Sequence, residues 1–128
     1  VLIAKHEGME TAAYLDVGVW AICYGNRSYK GAITTKADCD NRLKARIKVV
    51  SGYVDRIYNR EFTHNQKVAL ISFHYNVRNY NHVLWRANKG YSDLSIANSM
   101  RQHNKSEGVA LRGLTIRRDE EYHLFLTP

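Results

Sequence analysis

The sequence predicts an α+β chain, with a small β subregion set into an otherwise helical domain. Three observations predict it. Residues 14–34 carry the strand formers Tyr14, Val17, Val19, Trp20, Ile22 and Tyr24, punctuated by Gly18, Gly25 and Gly31. From Thr35 the apolar period turns helical, with Leu43, Ile47, Val50, Val54 and Ile57 forming one stripe. The single proline is Pro128, so no Pro-rich linker divides the 128 residues, a length suited to one domain. Residues 1–128 are therefore expected to form a single domain.

Each element has its own signal. Residues 1–7 read as the last turns of a helix ended by Gly8, which leaves room for a start upstream of Val1. Residues 14–34 read as a hairpin or three short strands, the one convincing β region. Thr35 followed by Asp38 is an N-cap pair for the long helix, and Gly52 weakens or divides its middle. Thr63-His64-Asn65-Gln66 is a capping box opening the most apolar helix, Val68 to Val77. Residues 81–88 and 92–103 read as two helices separated around Gly90. Gly108 and Gly113 bracket a loop, and a last helix from about Thr115 to Leu126 turns Ile116, Leu124 and Phe125 inward.

Composition narrows the function classes. Hydrophobic residues make up 45% and charged residues 24%, the balance of a globular chain rather than a disordered one. No apolar run reaches the roughly 18 residues of a membrane span. The net charge is +7 and the pI about 9.5, which points to a polyanionic partner. Arg42, Lys44, Arg46 and Lys48 form a basic run followed by Tyr53 and Tyr58, but no nucleic-acid module accompanies it, so a solvated helix face is expected and no nucleic acid. The six histidines lack metal-ligand spacing and there is no phosphate-binding glycine loop, so neither metal nor cofactor is expected. Cys23 and Cys39 could form one disulfide, but free thiols are slightly favoured, one being read in a strand and the other in a helix.

Two carboxylates stand out. Glu7 falls in the last turn of its helix, where the carbonyl ends disfavour negative charge and, in a dry site, raise a carboxyl pKa. Asp16, nine residues on, falls in the β region on a more solvated loop. A protonated acid beside an ionised one is the pair that hydrolyses glycosidic bonds.

The motifs around these acids are specific. His6-Glu7-Gly8, Tyr14-Leu15-Asp16 and Gly18-Val19-Trp20-Ala21-Ile22-Cys23-Tyr24-Gly25 resemble the N-terminal active-site region of the phage-type lysozymes, the endolysins of glycoside hydrolase family 24. Phe62–Gln66 and Ala69–Val77 resemble that family's central helix. Leu84-Trp85-Arg86 with Asn88-Lys89-Gly90, and Gly113-Leu114, Arg117-Arg118, Glu121 and Leu124-Phe125, continue the likeness to the C-terminus. The resemblance implies a lysozyme-like fold, with a small β-hairpin lobe and a predominantly helical lobe. It implies a muramidase that cuts the β-1,4 bond between N-acetylmuramic acid and N-acetylglucosamine, with peptidoglycan glycan strands as partner. Glu7 is then the general acid and Asp16 the base that activates water. Inversion is expected if roughly 6.5–9.5 Å separates them. Arg117 is expected to approach Glu7, while Trp20, Tyr75 and Asn76 are candidates for sugar contact. The setting implied is the bacterial wall during phage-driven lysis or virion entry, from host cytoplasm, periplasm or particle, with the chain a monomer or a domain of a phage particle.

One departure bears on chemistry. The family has a threonine in the strand after Asp16, and this chain has Ala21; Cys23 replaces a glycine two positions on. Strand alternation puts Ala21 and Cys23 on one face. A missing water-positioning hydroxyl can cost about 100-fold. The resemblance therefore leaves two readings: a lysozyme that is slower or uses Cys23, Ser28 or a nearby threonine, and a lysozyme fold retained for wall binding or virion structure. Asn26 stands where many relatives have histidine, and His103 where many have tryptophan.

Overall fold

The computed structural model describes residues 2–106 and 108–128, with only the backbone at Ser106. Val1, the first residue of the expected N-terminal helix, lies outside them. The chain divides into two units, Val1–Val49 and Val50–Pro128.

The first unit holds the β region. Helix α1 (Leu2–Glu7) stops where Gly8, at φ +68°, donates its N–H to the Ala4 carbonyl. Strands β1 (Glu10–Asp16), β2 (Val19–Cys23) and β3 (Asn26–Arg27) form an antiparallel sheet in that order. Asp16 pairs with Val19 across a two-residue turn, Val17-Gly18, with both residues at positive φ. That turn matches the twist of a hairpin, but a β-branched residue such as Val17 adopts it only under strain. Strand β1 begins four residues before Tyr14, the first residue expected in it. Its early part has weak strand propensity and is held by its neighbours: Glu10 pairs with Cys23, Ala12 bridges Ile33, and the amides of Ala13 and Thr34 bond the carbonyls of Ala32 and Thr11.

Helix α2 (Lys36–Ile57) starts on the expected cap, the Asp38 amide donating to Thr35 Oγ1 at 3.1 Å. It runs unbroken through Gly52. The unit boundary falls within it, between Val49 and Val50.

The second unit is helical: α3 (His64–Asn76), α4 (Asn81–Asn88), α5 (Asp93–Arg101) and α6 (Arg112–Phe125). The capping box at Thr63 and Gln66 is formed in both directions. Leu70, Phe73, Val83, Ile96, Met100 and Phe125 fill the core, with Val54 and Tyr58 from the end of α2. The stretch from Gly108 to Gly113 differs from the expected loop. Strand β5 (Val109–Ala110) falls within it and pairs with β4 (Lys105–Ser106), and α6 starts at Arg112, taking in Gly113. Strands of two residues are too short to carry an alternating pattern.

The inward face of α6 is a second correction. Phe125 is buried as expected, but Ile116 is exposed, and Arg117, Arg118 and Glu121 are buried in its place. Hydrophobic periodicity cannot detect a charged inward face.

Candidate active site

Glu7, Asp16, Trp20, Ala21 and Cys23 all belong to the first unit. Glu7 ends α1, where Gly8 stops the helix, and its side chain leans over the backbone at Gly25. A Cβ at Gly25 would lie 3.3 Å from Glu7 Oε2, and Gly25 is also at φ +86°. The second glycine of the strand motif is thus required both by its turn and by the carboxylate above it. Asp16 is the last residue of β1 and is exposed beside the strained Val17-Gly18 turn. Trp20 is half-buried on β2.

Tyr14 links the two acids. It sits on β1 directly opposite Ala21 and two residues from Asp16, so the three side chains share one face of the hairpin. Its phenol pKa is raised by burial first, then by the negative charges of Asp16, Glu7 and Glu10. The hydroxyl therefore lies in the electrostatic field of both candidate carboxylates. The sequence signal was present in Tyr-x-Asp, since residues i and i+2 of a strand face the same way; Tyr14 was read there only as a strand former and part of a motif.

Cys23 corrects the expectation of free thiols. It is disulfide-bonded to Cys39, joining the end of β2 to the first turn of α2, and neither sulfur is exposed. Cys23 stands at φ +60°, a backbone region that suits glycine, the family residue at this position. Sharing an element type with its partner was never required for bonding; what matters is Cα separation, and this one is 4.8 Å. The bond removes the sulfur from any role as a water ligand.

Tyr75, Asn76 and Arg117 belong to the second unit. Asn76 is the exposed last residue of α3, with Tyr75 half-buried before it. Arg117 is not the solvated surface cation its charge suggests. Its Nη2 donates to the Ser72 carbonyl at 3.1 Å and its Nε lies 3.4 Å from Glu121 Oε2. Arg118 completes the cluster, with Nε 2.7 Å from Glu121 Oε1 and its guanidinium against the Phe73 ring. Ser72 Oγ donates to the same carboxylate. Burial pushes the Glu121 carboxyl above its ordinary value, against the pull of Arg118, Ser72 and Arg117. Glu121 orients both arginines, a role its place in the motif did not reveal.

His103 stacks on His82 with Nε2 atoms 3.1 Å apart, and it packs edge-on to Phe73. The basic run of α2 is exposed as expected, with Arg42 paired to Asp38 at 2.8 Å. Among the described residues no helix is long and apolar enough to cross a membrane.

The phage lysozyme family model matches residues 4–121. The chain belongs to the phage lysozyme family. Within that family, it is 30% identical over 136 aligned residues to an endolysin of Bacillus phage B103, an alignment covering 98% of this chain. The chain spans about half, 51%, of the length of that curated relative. Among solved structures, this chain resembles the muramidase domain of SpmX from Asticaccaulis excentricus. There the TM-score is 0.88 and the identity 32%, covering 99% of this chain and 93% of that one. It also resembles the endolysin from Escherichia coli O157:H7 phage FAHEc1, with a TM-score of 0.85 and 26% identity over 98% of this chain and 88% of the other. The expected α+β lysozyme-like fold is thus established.

Proposed function

We propose that this chain is a peptidoglycan hydrolase, a muramidase that cleaves the β-1,4 bond between N-acetylmuramic acid and N-acetylglucosamine with inversion. One observation carries the reading: Glu7, at the end of α1, lies over the backbone of Gly25, and Asp16 ends β1 in the same small sheet-bearing unit. Glu7 gives its proton to the leaving oxygen. Asp16, exposed at the hairpin tip, takes a proton from the water that attacks the anomeric carbon. Trp20, Tyr75 and Asn76 serve substrate binding, while Arg117, expected there too, is buried against Ser72 and Glu121 and has a structural place instead. The partner is the glycan strand of the bacterial wall, and the +7 charge speeds encounter with that anionic surface. A buried disulfide suits an oxidising compartment, which favours action outside the host cytoplasm. The setting is phage-driven lysis or wall penetration, by a single domain acting alone or within a larger chain.

A second reading rests on Ala21, which is buried and has no hydroxyl. In it the fold binds the wall or serves the virion with its chemistry weakened or lost. Muropeptide release from purified sacculi decides between the two. The native chain is expected to release muropeptides, and Glu7→Gln to lose at least about 100-fold in rate. Equal rates would remove Glu7 from the mechanism. Native protein that co-sediments with sacculi and releases nothing would establish the binding module.

A further inference from the structure

Position 21 poses a physical problem for a hydrolase. An attacking water held by one carboxylate alone can rotate about that hydrogen bond, so its lone pair is poorly aimed. A second polar contact removes the freedom. Ala21 offers none, and Cys23 is committed to its disulfide.

The other hydroxyls of the first unit are poorly placed: Tyr24 Oη donates to Asp40, and Tyr29 is exposed beyond the end of β3. Ser28 follows Arg27, the residue paired with Ala21, and so alternates to the opposite face of the sheet. Thr34 Oγ1 donates to Asp38 and Thr35 Oγ1 caps α2. Thr11 lies in the irregular stretch between Glu10 and Tyr14, outside the paired register.

Tyr14 remains. Residues directly opposite in an antiparallel pair have Cβ atoms about 4.5–5.5 Å apart, and an aromatic side chain also reaches its i+2 neighbour. Tyr14 is opposite Ala21 and two residues from Asp16 on the same face.

We propose that the hydroxyl of Tyr14 orients the attacking water in place of the hydroxyl missing at position 21. The assignment rests on the muramidase reading above. One hydrogen of the water points to Asp16 and the other to Tyr14 Oη. As the water oxygen forms its bond to the anomeric carbon, Asp16 takes the first hydrogen as a proton. The glycosidic C–O bond breaks with its electron pair going to the leaving oxygen, which receives the proton of Glu7. The phenol ends the step as it began, protonated, and solvent restores the two carboxyl groups. Burial and three surrounding acids keep that phenol neutral.

The test is a set of four chains assayed on purified sacculi: native, Tyr14→Phe, Ala21→Thr, and the double variant, with thermal melts and Glu7→Gln as controls. Tyr14→Phe is expected to lower kcat by about 10- to 100-fold with KM nearly unchanged. Ala21→Thr alone is expected to gain less than about threefold, because the water is already held. In the double variant the new threonine is expected to restore most of the lost kcat. A large gain from Ala21→Thr in the native background would overturn the assignment. So would a Tyr14→Phe chain as fast as native, or a loss that the threonine does not rescue. If the native chain releases no muropeptides, the muramidase reading itself falls and takes this assignment with it. If native is active and Tyr14→Phe equals it, only the assignment falls.

Discussion

The two units are held by different forces. The second buries a continuous apolar cluster from five helices, α2 to α6, around Phe73, Ile96, Met100 and Phe125. The first buries little of that kind. Ile3, Ile22, Ala32 and Leu43 are its main aliphatic contributions, and a disulfide ties its sheet to α2. Its other ties are polar, including the Tyr24 hydroxyl on Asp40 at 2.6 Å. On the proposed reading the first unit keeps two carboxyls accessible, and an ionised acid would lose too much solvation in a deep apolar core. Covalent closure supplies stability without covering the surface. The helical unit has no such constraint and can even bury ions, provided they are paired, as Arg117 and Arg118 are with Glu121.

The contrast can be broken experimentally. The largest effect is expected in the helical core: Phe73→Ala should cost about 3–5 kcal/mol by transfer and cavity terms, read from denaturant unfolding. The loss should appear in amide exchange of α3 to α6. A cost below about 1 kcal/mol would mean that the core is loosely packed.

Opening the staple is expected to act on the other unit. Cys39→Ser, or mild reduction, should cost about 3 kcal/mol for a loop closed over 16 residues. The strain of Cys23 at φ +60° adds to the tendency of that strand end to open. Amide protection should fall in β1 and β2 and persist in α3 and α5. A uniform loss across both units would show that they unfold as one, which would erase the distinction.

Acid sharpens the comparison from the helical side. His74 is largely buried on α3, its Nε2 accepting from the Tyr58 hydroxyl at 2.6 Å, and burial pushes its pKa down to about 4. In the unfolded chain the same ring titrates near its ordinary value of about 6.5. The folded state therefore favours the neutral ring. That preference is fully present above pH about 6.5 and is lost as the pH falls toward about 4, for a total of about 3 kcal/mol. Melts of native protein and His74→Gln across this range should converge as the pH drops. Parallel curves would mean that His74 is charged in both states or in neither.

Much of the fold was legible because it depends on local chemistry. Gly8 stops α1, Thr35 starts α2 and Thr63 with Gln66 starts α3, and each cap is readable from a few adjacent residues. The stripe from Leu43 to Ile57 was legible for a similar reason, since a helix repeats its buried face every three or four residues. The candidate acids were legible through their motif, which brought Glu7, Asp16 and the departure at Ala21 to attention before any coordinates. The inward face of α6 was not, because its signal is charge, and charge ordinarily marks solvent.

By itself, then, the sequence determined the fold class, the caps that start α2 and α3, and the family, and it singled out a candidate pair of acids. Tertiary structure alone decided that Cys23 reaches Cys39, that Arg117 and Arg118 close on Glu121, and that Tyr14 stands across from Ala21 within the field of both acids. The physical reason is range. Caps and periodicity are set by neighbours within a few residues. A disulfide, a buried ion cluster or a cross-strand pair depends on register and packing between segments far apart in the chain, which no local pattern encodes.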